Sequence, residues 1–131
     1  MIIGIGIDIT DIRRIKKILN QYGKKFQSRC FSKKEIINSN KALNKASYYA
    51  KKYAAKEACV KALGTGFSQG IYWKDIVIEN DIQGKPKIKL FNEAKKRLDS
   101  LSTKPYRIQV SLSDEKQYAI ANVIISEIYE I

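Results

Sequence analysis

The sequence predicts a single α+β domain in which helices pack on a largely antiparallel sheet. Two segments, Ile2–Thr10 and Tyr106–Ser113, alternate apolar and polar residues with the two-residue period of a strand. Between them, the stretch from Tyr48 to Leu63 is rich in Ala and Lys and contains no Pro, which favours a long helix. A chain of 131 residues can bury one core, so we expect one domain over residues 1–131.

The first strand has two unlike faces. Isoleucines occupy one face, which we expect to form part of the core: Ile3, Ile5, Ile7 and Ile9. The other face is nearly bare, as expected where another backbone or a ligand comes close: Gly4, Gly6, Asp8 and Thr10. Asp8 has two interpretations, which this segment leaves open. It caps the helix that follows or it belongs to a functional site, and Thr10 can cap equally well.

The segments after this strand are strongly basic. Asp11–Leu19 has the period of an amphipathic helix with a basic outer surface, and Gly23 is expected to end it. We expect Lys24–Phe31 to be a short basic linker that buries Phe26 and Phe31.

A capping box begins the next helix, and a glycine ends the long central one. Ser32 and Glu35 have the capping-box spacing, and Asn38–Asn40 should break the short helix that they start. The central helix should end near Gly64, since glycine readily adopts the left-handed conformation of a helix C-terminus. One face of this helix carries only small side chains, which would allow close packing: Ala55, Ala58, Cys59 and Ala62.

Glu57 and Lys61 lie one turn apart on the other side of the central helix, with Tyr53 one turn before them. This pair also has two interpretations. Glu followed by Lys at this spacing is an ordinary helix salt bridge, worth about 0.2–0.5 kcal/mol. The alternative is a functional site, which would need a second acidic group from elsewhere in the chain, and Asp8 is the candidate.

The sequence of the C-terminal half predicts a hairpin, a helix and two further strands. We expect the loop aromatics Phe67, Tyr72 and Trp73 to be buried. The predicted elements are a strand over Trp73–Ile82, a turn over Ile82–Pro86, a strand over Lys87–Leu90, a helix over Phe91–Leu101, a strand over Tyr106–Ser113, a turn over Asp114–Lys116 and a strand over Tyr118–Ser126.

Composition restricts the classes of function. The net charge of +12 favours anionic partners, although a bias toward lysine in the composition would also produce it. With no histidine, and with only Cys30 and Cys59 as thiols, a zinc or iron site is close to excluded. No segment has the features of a signal peptide or a membrane span, so we expect a soluble cytosolic protein with free thiols.

Two carboxylates with a nearby lysine and no histidine suit Mg²⁺, a hard cation that shares its shell with waters and substrate phosphates. If the bare face of the first strand approaches the central helix, Asp8 and Glu57 would meet. Lys61 would then offer charge to a phosphoryl oxygen, and the backbone N–H groups of Gly64–Gly66 would be accessible. The residues alone therefore predict Mg²⁺-assisted phosphate chemistry.

A series of motifs over the whole chain resembles the holo-acyl-carrier-protein synthases, small bacterial 4′-phosphopantetheinyl transferases. The segments are Gly4–Ile9 with Arg14-Ile15, Tyr53–Ala58 with Lys61-Ala62 and Gly64–Gly66, Gly84–Pro86, and Val110–Asp114. The resemblance implies that family's fold and its reaction. Phosphopantetheine passes from coenzyme A to a serine of acyl carrier protein, and adenosine 3′,5′-bisphosphate is released.

The resemblance also assigns residues. Asp8 and Glu57 match the Mg²⁺ carboxylates, and Lys61 matches the lysine at the transferred phosphate. Residues implied to bind coenzyme A are Lys45, Lys52, Lys61, Gly64, Gly66, Pro86 and Ser111. Residues implied to bind the acidic carrier protein are Arg14, Lys25 and Arg29. Relatives form trimers with sites between subunits, so we expect a homotrimer.

The general base stays open, with Glu57, directly or through water, as the preferred candidate. Many relatives carry a histidine where this chain has Asp114, which rules out a histidine base here. A basic nucleic-acid-binding domain is the alternative class, but no binding motif supports it, and the aromatic residues lie mostly at core positions. We therefore expect neither a nucleic-acid nor a membrane partner.

Overall fold

A computed structural model describes residues 1–129, and its elements confirm the α+β class. In chain order they are β1 (Ile2–Asp11), α1 (Ile12–Tyr22), α2 (Lys24–Cys30), α3 (Lys33–Ser39), α4 (Lys45–Leu63), a 3-10 turn (Trp73–Asp75), β2 (Ile76–Asn80), β3 (Pro86–Leu90), α5 (Asn92–Leu101), β4 (Tyr106–Glu115) and β5 (Tyr118–Glu127). No helix within this range is long and apolar enough to cross a membrane.

The strands divide into two sheets, and every pairing in both is antiparallel. The larger sheet has the order β1-β5-β4, with Ile7 opposite Asn122 and Asn122 opposite Ser111. The smaller is the predicted hairpin of β2 and β3, closed by the turn between Asn80 and Pro86. Helix α4 packs across both β1 and β5, and this layer encloses the main core.

The prediction that the isoleucine face of β1 is buried is wrong. Ile5, Ile7 and Ile9 are 62–64% exposed. The glycine face is the one that packs against α4, so the isoleucines point to the opposite side of the sheet. Only Ile3 contacts the core, at a register irregularity between Ile2 and Gly4 where β1 pairs with β5. A bulge of this kind leaves one residue out of the regular pairing, which accounts for its different environment.

Neither Asp8 nor Thr10, the two predicted candidates, caps α1. Asp11 is the N-cap, and its side chain accepts a hydrogen bond from the backbone N–H of Arg13 at 2.9 Å. Asp8 is therefore not the cap, and Thr10 instead donates to Asp8 at 2.8 Å.

The segment predicted as a basic linker, Lys24–Phe31, is mostly helical. It forms α2 (Lys24–Cys30), a seven-residue helix too short to show a clear period. Phe31 is buried as predicted, and Phe26 packs partly buried against its ring edge. The capping box of Ser32 and Glu35 is confirmed at the start of α3.

The C-terminal half follows the prediction with three differences. The residues Trp73–Asp75 form a 3-10 turn, which shortens the predicted strand to Ile76–Asn80, and Tyr72 is 71% exposed, so its predicted burial is wrong. Strand β4 continues through Glu115, so the turn to β5 comes later than Asp114.

Candidate active site

The site is built where β1 lies directly against α4. A methyl group at Gly6 would overlap the carbonyl oxygen of Ala58, and one at Gly4 would overlap that of Ala62. The small face predicted for α4 is confirmed, because Ala58, Cys59 and Ala62 are at most 5% exposed. This contact of backbone on backbone brings the polar end of β1 within reach of side chains on the helix.

Lys61 bonds to β1 and not to its own helix. Its Nζ donates to the backbone oxygen of Ile7 at 2.9 Å and to Oδ1 of Asp8 at 3.2 Å. No ion pair within 4 Å joins Lys61 to Glu57, so the ordinary helix salt bridge does not form in this part of the described chain. Asp8 is largely buried, and its other carboxylate oxygen accepts the hydrogen bond from Thr10.

Glu57 shares this environment. Burial is the main cause that raises the pKa of its carboxyl, and the charge of Asp8 raises that pKa further. Lys61 and Arg14 lower it, but their influence is smaller. The two carboxylates are therefore close enough to repel each other, which is the juxtaposition that the sequence predicts for a cation site.

The donor set fits Mg²⁺ better than a transition metal. Among residues 1–129 no group of three or more His, Cys, Asp or Glu side chains could enclose an ion. Mg²⁺ does not need such a cage, because it binds through one or two carboxylates and completes its shell with water and substrate phosphates. Two neighbouring carboxylates meet this requirement, so Asp8 and Glu57 fit the ion.

The glycines after α4 differ in part from the prediction. Gly64 ends the helix in the left-handed conformation, as predicted, and Gly66 is also left-handed. Their backbone N–H groups are not accessible, however, because those of Thr65 and Gly66 donate to the oxygen of Val60 and that of Gly64 to Lys61. These bonds complete the C-terminal cap, so the loop offers a close approach but not free donors. A Cβ at Gly66 would meet open space.

A separate cleft gathers three residues implied to bind coenzyme A. Lys52, Pro86 and Ser111 line a cavity of about 480 Å³ between α4, the β2–β3 hairpin and β4. Lys52 is nearly buried, its ammonium lies 4.7 Å from the centre of the Tyr48 ring, and burial lowers its pKa.

The structure does not bring Lys45 into that cleft. Lys45 lines a different cavity of about 400 Å³, beside Arg13 and Lys16 of α1. Lys52 also faces away from the carboxylates, because positions 52 and 57 lie about 140° apart around the helix axis. Within one chain, the predicted site residues therefore fall into separate groups.

The predicted carrier-protein surface is exposed and basic. Arg14 lies on α1, and Lys25 and Arg29 lie on α2, all with exposed side chains. The guanidinium of Arg14 lies 5.6 Å from the centre of the Tyr53 ring, on the same side of α4 as Glu57. Arg14 therefore places a cation next to the carboxylates, and the exposed side chains of Arg14, Lys25 and Arg29 are called the basic face below.

Sequence reasoning missed a buried ion pair on the side of α4 that faces away from β1. Lys56, one turn after Lys52 on α4, is fully buried, and its Nζ lies 2.8 Å from Oε1 of Glu35. Glu35 was predicted only as a capping residue, which it also is. The signal that could have found this pair is the lysine within the Tyr53–Ala58 motif, since its position falls on the buried half of the helix.

A stack of aromatic rings was also missed. The ring of Trp73 stacks on Phe67 with centres 3.9 Å apart and on Tyr53 with centres 4.6 Å apart. All three rings are partly buried, and Tyr53 is one turn before Glu57. The stack therefore forms an apolar wall next to the carboxylates.

Comparison with known proteins identifies the class. The sequence-family model of the 4′-phosphopantetheinyl transferase superfamily matches residues 4–123, and the chain belongs to that superfamily. A holo-[acyl-carrier-protein] synthase of Sinorhizobium fredii is 46% identical over 95% of this chain and 91% of its own length. Within the superfamily, the chain is thus an enzyme of the holo-[acyl-carrier-protein] synthase type.

Solved structures agree with this assignment. The holo-[acyl-carrier-protein] synthase of Neisseria meningitidis superposes with a TM-score of 0.85 at 32% identity, covering 97% of this chain and 100% of that one. The Helicobacter pylori synthase, crystallised in complex with coenzyme A, gives a TM-score of 0.79 at 34% identity over 93% of this chain and 99% of that one. These matches confirm the fold that the sequence predicts.

Proposed function

We propose that this enzyme transfers 4′-phosphopantetheine from coenzyme A to a serine of apo acyl carrier protein. The serine oxygen attacks the phosphorus that carries the pantetheine arm, and the bond from that phosphorus to the adenosine 3′,5′-bisphosphate oxygen breaks. The observation that carries the proposal is the meeting of Asp8, Glu57 and Lys61 between β1 and α4, in a chain of this family. The coenzyme A complex of the Helicobacter pylori relative supports the choice of donor.

We propose that Asp8 and Glu57 hold Mg²⁺. Bound there, the ion would offset charge on the diphosphate of coenzyme A. The chain's own part is to bring the two carboxylates together, even though the charge of Asp8 raises the pKa of Glu57. Lys61, whose ammonium already lies between the strand and the helix, would balance charge on the bisphosphate as it leaves.

The serine proton needs an acceptor, and the chain has no histidine to provide one. Glu57 is the proposed base, directly or through a water, because its raised pKa suits a group that takes up a proton. Asp114 is the residue at the position where relatives carry histidine, but it lies in the other cleft, where Ser47 donates a hydrogen bond to it at 3.2 Å.

The oligomer that we propose is a homotrimer. The isoleucine face of the larger sheet supports it, because Ile5, Ile7, Ile9 and Ile120 lie on the side away from α4 and are exposed. An apolar patch of this kind marks a protein interface, and a second copy of the same chain is its proposed occupant. Trimerisation would also explain the separate groups of site residues, since a cleft between copies can join the carboxylates of one chain to the Lys52 group of another.

The carrier protein would dock on the basic face formed by Arg14, Lys25 and Arg29. A partner rich in acidic residues would be steered to a chain of net charge +12 and oriented by this face.

The reduced, buried thiols Cys30 and Cys59 are compatible with the cytosol, which is the proposed location.

The test is incubation with coenzyme A, Mg²⁺ and apo acyl carrier protein, followed by mass spectrometry of the carrier protein. We expect addition of the phosphopantetheine arm, loss of the reaction with EDTA, and its return with excess Mg²⁺. The matched control is Glu93→Gln, an exposed glutamate on α5 paired with Lys96, against Glu57→Gln. Full transfer by Glu57→Gln would contradict the mechanism, and no transfer by the wild-type chain would contradict the function.

A further inference from the structure

The buried Lys56 has every hydrogen-bond donor in use. Its Nζ donates to Oε1 of Glu35 at 2.8 Å, to the backbone oxygen of Cys30 at 2.8 Å and to that of Trp73 at 3.2 Å. An ammonium has three donors, so these three acceptors satisfy it completely. Lys56 is 0% exposed, and no part of the proposed reaction assigns it a task.

Glu35 is equally well satisfied from the other side. Oε1 also accepts from the backbone N–H of Ser32 at 2.8 Å, and Oε2 accepts from that of Ile78 at 3.1 Å. The pair therefore joins α4 to the end of α2, the start of α3, the 3-10 turn and β2. A buried pair offsets the cost of desolvation only with such additional hydrogen bonds, so its geometry is strongly specified.

Apart from the half-exposed Lys61, the side of α4 that faces β1 carries small residues. There the helix contacts β1 through Gly4 and Gly6 on the strand and through alanines on the helix. Small side chains allow close approach but provide few interlocking contacts that resist rotation about the helix axis. Lys56 provides such a contact, and Glu57 is the next residue, about 100° further around the helix.

The Lys56 ammonium also contacts the aromatic stack that lies near Glu57. Lys56 bonds to the backbone oxygen of Trp73, whose ring stacks 4.6 Å from the Tyr53 ring, one turn before Glu57. Movement of Lys56 would thus change both the direction of Glu57 and the position of the Trp73–Tyr53 stack.

We propose that Lys56, held by Glu35, is a positioning residue that directs Glu57 toward Asp8. This inference rests on the proposed function, because it assigns to the pair the orientation of a proposed Mg²⁺ ligand. It concerns the far side of α4, and neither side chain would touch the ion or coenzyme A.

The test compares the double variant Glu35→Gln/Lys56→Met with the wild type. Removing both charges leaves no uncompensated ion in the core, so the double variant is more tolerable than either single change. Electron paramagnetic resonance with Mn²⁺ as the probe measures cation binding without turnover. We expect the Mn²⁺ affinity to fall about 10- to 100-fold, as is typical when a group supporting a metal ligand is lost.

The control is Asp75→Asn, which alters another buried carboxylate, bonded to the backbone N–H of Tyr72 and to the side chain of Asn92. It should lower the melting temperature while leaving the Mn²⁺ affinity unchanged. In turnover, the double variant should need correspondingly more Mg²⁺ for half-maximal rate and keep its KM for carrier protein. If the double variant does not fold, Glu35→Asp should show the same shift, several-fold smaller.

Unchanged Mn²⁺ affinity in a folded variant of the pair would overturn the inference while leaving the proposed function standing. An equal loss of affinity in Asp75→Asn would also overturn it, because the effect would then follow from stability alone. A wild-type chain that neither binds Mn²⁺ nor modifies carrier protein would overturn the proposed function and the inference together.

Discussion

Lys61 on α4 and Asp8 on β1 form an ion pair at 3.2 Å, between two elements whose backbones are in direct contact. The sequence alone suggested Glu57 as the partner of Lys61. The pair that forms instead connects strand and helix, and it leaves the Glu57 carboxyl beside Asp8 without a bonded lysine in the described chain. This relationship underlies the chemistry proposed for the site.

Replacing Lys61 by Met should lower kcat strongly and leave the fold intact. The ammonium is about half exposed, so its removal costs little packing, but charge on the leaving bisphosphate would lose its counterion. Loss of one such group costs about 10²- to 10³-fold in kcat. Steady-state transfer assays measure the effect, and Lys95→Met, on the exposed side of α5, is the control. A kcat within a few-fold of wild type would remove Lys61 from the mechanism.

Glu57→Gln should stabilise the chain in the absence of metal, in a pH-dependent manner. The pKa of Glu57 is raised in the folded state, so the folded chain holds that proton more tightly than the unfolded chain. The charged carboxylate is therefore destabilising, and the cost increases as pH rises from the ordinary pKa of glutamate through the raised pKa. The variant should gain melting temperature at neutral pH, and the gain should vanish in acid.

Thermal unfolding with EDTA across this pH range measures that difference. Addition of Mg²⁺ should stabilise the wild type and not the variant, because only the wild type keeps both carboxylates. A gain that is the same at all pH values would contradict the assigned cause.

Ile7→Asp should dissociate the proposed trimer. Ile7 lies in the middle of the exposed isoleucine face, and a charge there could not be buried against a second copy without a large cost. Light scattering after gel filtration should give the mass of one chain, and transfer activity should fall with it. The control is Ile37→Asp on α3, since both isoleucines are 62% exposed. Dissociation by both variants, or by neither, would argue against this interface.

Reversing the charge of the basic face should weaken docking without slowing chemistry. Lys25→Glu/Arg29→Glu changes two exposed side chains on α2 that lie outside the carboxylate cluster. We expect the KM for carrier protein to rise at least 10-fold at low salt, with kcat nearly unchanged. The difference from wild type should shrink at high salt, where exposed charges are screened. Lys96→Glu on α5 is the control, and an equal rise there would indicate a general effect of net charge.

Local patterns predicted most of the elements and the acidic pair. Periodicity located the strands and most of the helices, the capping box began α3, and Gly64 ended α4. Asp8 and Glu57 could be associated because the glycines of β1 required another backbone close by. The roles of the coenzyme A and carrier-protein residues stay predictions.

The errors occur where the answer depends on a distant partner. Alternation gives a strand two faces, but it does not say which face is covered, so the exposed isoleucines of β1 were assigned to the core. The burial of Lys56 depends on Glu35, which lies on another helix, and no local period shows that contact. The N–H groups of Gly64–Gly66 were expected to be free, but they bond to the last carbonyl groups of α4. These bonds depend on the backbone geometry of the C-terminal cap, which the residue types do not specify.

The contact of β1 with α4 has a consequence for how this sequence can vary. Gly4 and Gly6 carry no functional group, yet any side chain there would overlap backbone oxygens of Ala62 and Ala58. In a library of random variants selected for activity, these two positions should be as invariant as the charged ones. The positions that tolerate no mutation would thus include the contact between β1 and α4 as well as the residues proposed to take part in the reaction.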